Sequence, residues 1–224
     1  MKNSRLLRLH NVWVENGSTP QKALDWSRSR DNWERDLKSF AQFISKLPNE
    51  IDRDFLRNLV KSNEYSSTQA FLTVMIWGYG DLGYGSYRVK KMFSTSDLDG
   101  KIEKVFNYCQ NRQPLDAYRY LLQNRVSQLG PAFGTKLISF FSPRDVVAPI
   151  YDSFIRKWMD IHAKDVFENS SSSSEIWSLK IYSKYCEWMA FHSSLLNCYA
   201  DNLEWVIFKD ALEQFSRTSN WAGQ

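Results

Sequence analysis

Leu129-Gly130-Pro131-Ala132-Phe133-Gly134-Thr135-Lys136-Leu137-Ile138-Ser139-Phe140-Phe141 carries the most informative local pattern in the chain. Upstream of it, apolar residues at helical spacing predict a helix over Leu115–Leu129. Gly130-Pro131 stops that helix, because proline cannot occupy a helix interior. Gly134 then opens a second, more apolar helix, Thr135–Phe141. Two helices joined by a tight glycine-containing hairpin present successive backbone N–H groups, and the second helix adds its positive N-terminus. The combination is a sequence-independent phosphate clamp, with Gly130, Pro131, Phe133, Gly134 and Thr135 as its contact residues.

The helical period continues on both sides. Leu37, Phe40, Phe43, Ile44 and Leu47 form an apolar stripe over Asp36–Leu47, which Pro48 ends. Ile51, Phe55, Leu56 and Leu59 form a second stripe, and Thr68–Trp77 is apolar nearly all round, as expected of a helix central in its domain. Further helices are predicted over Ser86–Phe93, Asp99–Cys109, Tyr151–His162, Ile176–Ser193 and Leu203–Arg217. Alternating strand patterns are scarce, so the class is all-α: two helical lobes around a cleft, in one domain spanning 1–224. The hairpin segment occupies about 115–141, and the next helix starts near 151. Asn169–Ser174 contains five consecutive serines and reads as an exposed loop. Gly78–Arg88, with Gly78, Gly80, Gly83 and Gly85 among three tyrosines, reads as another.

Composition narrows the function classes. At 224 residues, 43% hydrophobic and 24% charged, the chain can bury a proper core. Its net charge of +4 is compatible with a polyanionic partner. Cys109, Cys186 and Cys198 are odd in number and widely spaced, against a disulfide framework and a structural zinc site. His10, His162 and His192 lack the spacing of a helical zinc hydrolase and are read as incidental. No P-loop pattern occurs, and no strand precedes Gly78–Gly85 to make it a dinucleotide-binding turn. No apolar run approaches the ~18 residues of a membrane span. The expectation is a soluble, cytoplasmic monomer with no cofactor or metal, although a monovalent cation at the hairpin would be compatible with it.

Beyond the hairpin comes Val147-Ala-Pro149-Ile-Tyr-Asp152-Ser-Phe-Ile-Arg156-Lys-Trp158, with Asp152 at or near the start of a helix. Gly134-Thr135-Lys136, sixteen residues ahead of Asp152 in a Pro-x-x-Asp-x-x-x-Arg context, resembles the helix–hairpin–helix DNA glycosylase superfamily. The Gly-Thr-Lys triplet is most similar to its 8-oxoguanine DNA glycosylase branch. Ala132 stands where the hairpin usually has its first glycine, and the Lys-to-Asp interval is short for that branch. Both mark a divergent subgroup. The Trp77-Gly78-Tyr79 and Gly83-Tyr84-Gly85 surroundings resemble a bacterial offshoot of the branch.

The resemblance implies that Lys136 attacks the sugar C1′ and that Asp152 activates it and stabilises the cationic transition state. The residue chemistry agrees. A lysine amine is a nucleophile only when neutral, and a first-turn position with Phe133, Leu137 and Phe140 nearby would disfavour the ammonium form. Double-stranded DNA carrying a damaged or modified base is the expected partner, an oxidised purine the favoured target and AP-lyase activity the expected accompaniment. A bulky modified pyrimidine in phage DNA, cut as a defence, is one alternative; a non-catalytic DNA-binding module is another. Arg88, Lys90, Lys91 and Arg156 are further phosphate contacts, and Trp77, Tyr79, Tyr84 and Tyr87 are candidates for a wedge or the base pocket. Trp188, Trp205, Phe208 and Phe215 recur at helical spacing and read as core. The resemblance places one of them beside the base pocket.

Overall fold

The computed structural model describes residues 3–62, 64–164 and 177–215. The fold is all-α, as expected: among the described residues the strands amount to one two-residue antiparallel pair, β1 (Leu24–Asp25) against β2 (Glu50–Ile51). In chain order the helices are α1 (Ser4–Glu15), α2 (Arg30–Asp36), α3 (Ala41–Ile44), α4 (Arg53–Lys61), α5 (Ser67–Tyr79) and α6 (Gly85–Phe93). They are followed by α7 (Leu98–Gln110), α8 (Pro114–Gln123), α9 (Pro131–Phe141), α10 (Ser153–His162), α11 (Leu179–Leu195) and α12 (Ala200–Phe215).

Local chemistry sets most of the boundaries. Asn3 caps α1 by accepting from the Leu6 amide, and Asp52 caps α4 by accepting from Phe55. Ser66 and Gln69 close a reciprocal capping box on α5. Proline occupies the first turn of α8 and of α9, where a missing N–H costs nothing.

The chain divides into two compact units. One, Gln21–Pro143, is built around α5, whose residues from Ala70 to Trp77 are all buried. Helices α4, α6, α7 and α9 pack on α5, and α8 packs on α7 and α9. The other unit takes residues 1–20 and 144–224, and there α12 packs against α1, α10 and α11. Asp210 on α12 is buried and ties that unit together. It accepts from Arg5 at 2.9 and 2.8 Å, from the Trp158 indole at 2.6 Å and from Gln214 at 2.7 Å.

Several predicted boundaries are corrected. Helix α8 ends at Gln123 rather than Leu129, because the Asn124 side chain bonds back to the Tyr120 carbonyl and Gln128 adopts a left-handed φ of 62°. Helix α9 begins at Pro131, three residues before Gly134, since the fixed proline φ suits a first helical position. The helix expected over Asp36–Leu47 is broken into the end of α2, one 3-10 turn at Lys38–Phe40, and α3. Arg30 holds that break by donating to the Ile44 and Leu47 carbonyls at 2.7 Å each. The Gly78–Arg88 loop contracts to Gly80–Tyr84, because α5 runs on through Tyr79 and α6 starts at Gly85. Asn169–Ser174, Ile176 and residues 216–217 lie outside the described residues.

Candidate active site

Lys136 belongs to the Gln21–Pro143 unit, on the face of α9 that meets α5. Gly78 makes that approach possible. A Cβ there would stand 2.7 Å from Phe133 Cε1 and 3.4 Å from Lys136 Cδ. The lysine stem therefore runs beside the bare backbone of Gly78, with Nζ 5.8 Å from the centre of the Phe133 ring. Phe133 in turn stacks on Tyr79, centroids 4.3 Å apart and planes 23° off parallel. Lys136 is half-buried while Leu137, Ile138, Phe140 and Phe141 fill the interior, so the amine is carried on a rigid, apolar support.

One expectation changes here. Lys136 is the sixth residue of α9, in its second turn rather than its first. The helix dipole falls off within the first turn, so it contributes less at this position than the sequence implied.

At the start of α9 the first backbone hydrogen bond runs from Gly134 N–H to Gly130 carbonyl at 2.9 Å. The amides of Ala132 and Phe133 precede it and have no intrahelical acceptor, and Pro131 has no N–H. Those two amides are the donors the hairpin can offer to an anion. A small cavity of about 340 Å³, lined by Tyr118, Leu121, Val126, Leu129 and Pro131, separates the hairpin from α8. Thr135, expected among the DNA contacts, is fully buried, and its hydroxyl donates back to the Ala132 carbonyl at 3.0 Å.

The aromatic candidates separate by burial. Trp77 and Tyr79, candidates for a wedge or the base pocket, are 4% and 3% exposed, a burial that suits a wall better than a wedge. Trp77 packs edge-on against Phe140, with the Arg53 guanidinium 5.5 Å from its ring. Burial pushes the Tyr79 phenol above the ordinary tyrosine range, against a smaller opposite pull from Arg88. Its buried hydroxyl interacts with the Arg88 guanidinium without reaching hydrogen-bond geometry. Tyr84 and Tyr87 are 41% and 57% exposed, with Arg88 and Lys91 lying 5.0 and 5.3 Å over their rings.

Asp152 belongs to the other unit, where it is the N-cap of α10. Its Oδ1 accepts from the amides of Phe154 and Ile155 at 3.0 and 3.1 Å, and the residue is buried. The approach to it is fixed by two tyrosines of α11 that sequence reasoning missed. Tyr182 donates to the Pro149 carbonyl at 3.2 Å and Tyr185 to the Ile150 carbonyl at 3.1 Å. Burial above all, with Glu204, Cys186, Asp152 and Tyr151 adding to it, holds the Tyr185 phenol well above the usual range. Tyr182 and Tyr185 are three apart on an apolar helix, so a shared face was foreseeable; their acceptors were not. Arg156, a candidate phosphate contact, pairs with Asp160 one turn along α10 at 3.1 Å.

The remaining chemistry-bearing residues serve packing. Burial pushes Cys109 and Cys186 up to about 12 and Cys198 to about 11, so none is a thiolate at neutral pH. His162 meets Gln214, and His192 meets the Trp188 carbonyl. Trp188, Trp205 and Phe208 make ring contacts inside their unit. Among the described residues no cluster of His, Cys, Asp and Glu could hold a metal ion, and no helix is long and apolar enough to cross a membrane.

The family model described as "Putative 8-oxoguanine DNA glycosylase OGG-like protein" matches residues 8–208, a span that includes the hairpin, Lys136, Asp152 and most of α12. No curated protein and no solved structure gives a significant match. A match over nearly the whole described chain shows that the protein belongs to the OGG-like family of DNA glycosylases.

Proposed function

We propose that the protein excises a damaged or modified base from double-stranded DNA, an 8-oxoguanine-like purine being the favoured target, with Lys136 as nucleophile. One observation carries the reading: the Lys136 stem lies against the bare backbone of Gly78, beside Phe133, shortly after a hairpin whose first two amides lack intrahelical acceptors. A lysine serving only as a surface charge needs no such seat. The hairpin amides and Arg88 would hold phosphates, and the amine would meet the sugar between them.

In the first step the neutral Lys136 amine forms a bond to C1′ while the glycosidic C–N bond breaks, and the base leaves with the bonding pair and takes up a proton. To Asp152, whose carboxylate is oriented by two backbone amides, we assign the role of countering the positive charge that develops on the sugar. Ring opening gives an imine linking Lys136 to C1′. Loss of a C2′ proton then expels the 3′ phosphate, so the same lysine supports strand cleavage. No cofactor enters these steps. Tyr84, exposed at the end of the Gly80–Tyr84 turn, is the side chain proposed to fill the space the extruded nucleotide leaves.

Borohydride reduction tests the reading on a duplex carrying 8-oxoguanine. The expected result is a covalent protein–DNA adduct with the wild type and none with Lys136→Gln, which should still bind the duplex. Base release without any trapped adduct would instead assign the attack to water, with Asp152 as its base.

A further inference from the structure

A second basic surface lies on the same unit as Lys136 and away from the hairpin. The second half of α6 and the segment from Arg35 to Ser39 enclose a groove of about 690 Å³. Its floor is apolar, from Leu37 and Phe93, with Phe93 locked by Phe40 and Phe71 at centroid distances of 4.9 and 6.0 Å. Its walls carry Arg35, Lys38, Lys90 and Lys91, all exposed. Asp36 is the single acid in the lining, and it is already engaged: Ser86 donates to it at 2.6 Å and Arg35 lies 3.5 Å away. The exposed Tyr87 ring stands on the same wall with the Lys91 ammonium 5.3 Å from its centre. Four cations around one neutralised acid repel one another, so the arrangement is maintained at an electrostatic cost that a polyanion would relieve. Lys90 and Lys91 in the last turn of α6 and Arg35 in the last turn of α2 each have an ordinary dipole role; what that role does not explain is that both helix ends and Lys38 line one groove.

Resting on the glycosylase reading above, we propose that this groove is a second seat for the DNA sugar–phosphate backbone. Arg35, Lys38, Lys90 and Lys91 take phosphates flanking the lesion, and Tyr87 braces the strand. The groove reads no bases: cations on long flexible stems and an apolar floor offer charge and contact area without a fixed donor–acceptor edge. Tyr87 therefore acts separately from Tyr84, although the two are three residues apart.

Salt dependence of binding tests the proposal. Affinity of the wild type and of Arg35→Gln/Lys38→Gln would be measured from 50 to 300 mM salt, on a short lesion duplex and on one extended by a helical turn each side. Each phosphate lost should lower the slope of log affinity against log salt by about 0.9. The double variant should therefore lose nearly two units of slope and about 60-fold in affinity at 0.1 M salt on the long duplex, and little on the short one. Arg35→Lys/Lys38→Arg, which keeps both charges, should behave as the wild type. Unchanged slope in the Gln variant, or an equal loss on both duplexes, would overturn the groove. Failure of the glycosylase reading looks different: groove-dependent binding without base release would leave the groove standing and remove the chemistry.

Discussion

Replacing Gly78 by alanine adds one methyl group at the point where α5 touches α9, and its consequences can be worked from the geometry. The new Cβ would sit 2.7 Å from Phe133 Cε1, about 0.7 Å short of ordinary contact, and 3.4 Å from Lys136 Cδ. Two effects on stability oppose each other. Alanine is favoured over glycine inside a helix by about 1 kcal/mol. Overpacking of this kind costs ~1–3 kcal/mol. Phe133 is only half-buried and can swing, but doing so breaks its stack on Tyr79, whose own Cβ lies where a Cβ on Gly85 would be only 2.7 Å away. The net expectation is a loss of ~0–2 kcal/mol in urea unfolding. Activity should suffer more, since a shift of this size beside the nucleophile can slow a positioned reaction by ~10–100-fold. Single-turnover excision at saturating DNA measures that step, and Phe133→Leu added to Gly78→Ala should restore part of the rate by opening the space. A Gly78→Ala protein more stable by about 1 kcal/mol, with its full rate, would show that helix propensity alone operates there and that Lys136 does not depend on this contact.

Tyr84→Ala should reduce excision from duplex DNA far more than from single strands, while Tyr79→Ala should unfold the protein more easily by ~3–5 kcal/mol; equal rate losses on both substrates for Tyr84→Ala would remove it as the wedge. Tyr79→Phe should leave stability unchanged or raise it by up to about 1 kcal/mol, because the buried hydroxyl meets Arg88 without hydrogen-bond geometry; a clear loss of stability would show that the two do bond. Burial opposes the charge on Asp210, but the Arg5 and Trp158 hydrogen bonds outweigh it and lower its pKa, so its contribution is present above the ordinary carboxylate range and fades as pH falls through its folded value. Asp210→Asn should therefore cost ~2–3 kcal/mol at pH 7 and much less near pH 3, and a cost independent of pH would refute that reasoning. Tyr182→Phe/Tyr185→Phe should slow base release with little change in DNA affinity, since the two hydroxyls fix the Pro149 and Ile150 carbonyls just ahead of Asp152; unchanged single-turnover rates would reduce them to packing.

The fold was legible where a helix announces itself twice, by period and by a cap or breaker. Helix α5 has an apolar run and the Ser66–Gln69 box; α9 has Pro131 and an apolar body; α10 has Asp152. It was least legible where period was the sole signal. The stripe from Leu37 to Leu47 has helical spacing, and Leu37, Ile44 and Leu47 are buried as that spacing requires, yet the backbone beneath it breaks at Leu37. Burial of a stripe needs side chains on one side, not an unbroken helix, and Arg30 supplies the tertiary bonds that hold the broken form. Helix α1, with no apolar stripe wide enough to stand out, was not foreseen: only Leu6 and His10 of it are buried.

For the candidate site the same distinction separates types of residue. Lys136 and Asp152 were singled out through the resemblance carried by Gly134-Thr135-Lys136 and the Pro-x-x-Asp-x-x-x-Arg context, patterns contiguous in sequence. Tyr79, Tyr84 and Tyr87 share a glycine-rich segment and look equivalent in one dimension, yet the point at which α5 ends decides their fates. Gly80, with its positive φ of 54°, ends α5 one residue after Tyr79 and leaves that ring on the buried side, where Phe133 and Trp33 close over it. Tyr84 and Tyr87 come after the chain has turned, on the exposed flank of α6. Where a helix ends by a single residue thus assigns one tyrosine to supporting the nucleophile's wall and two to the surface, and no count of aromatics in the segment could have divided them.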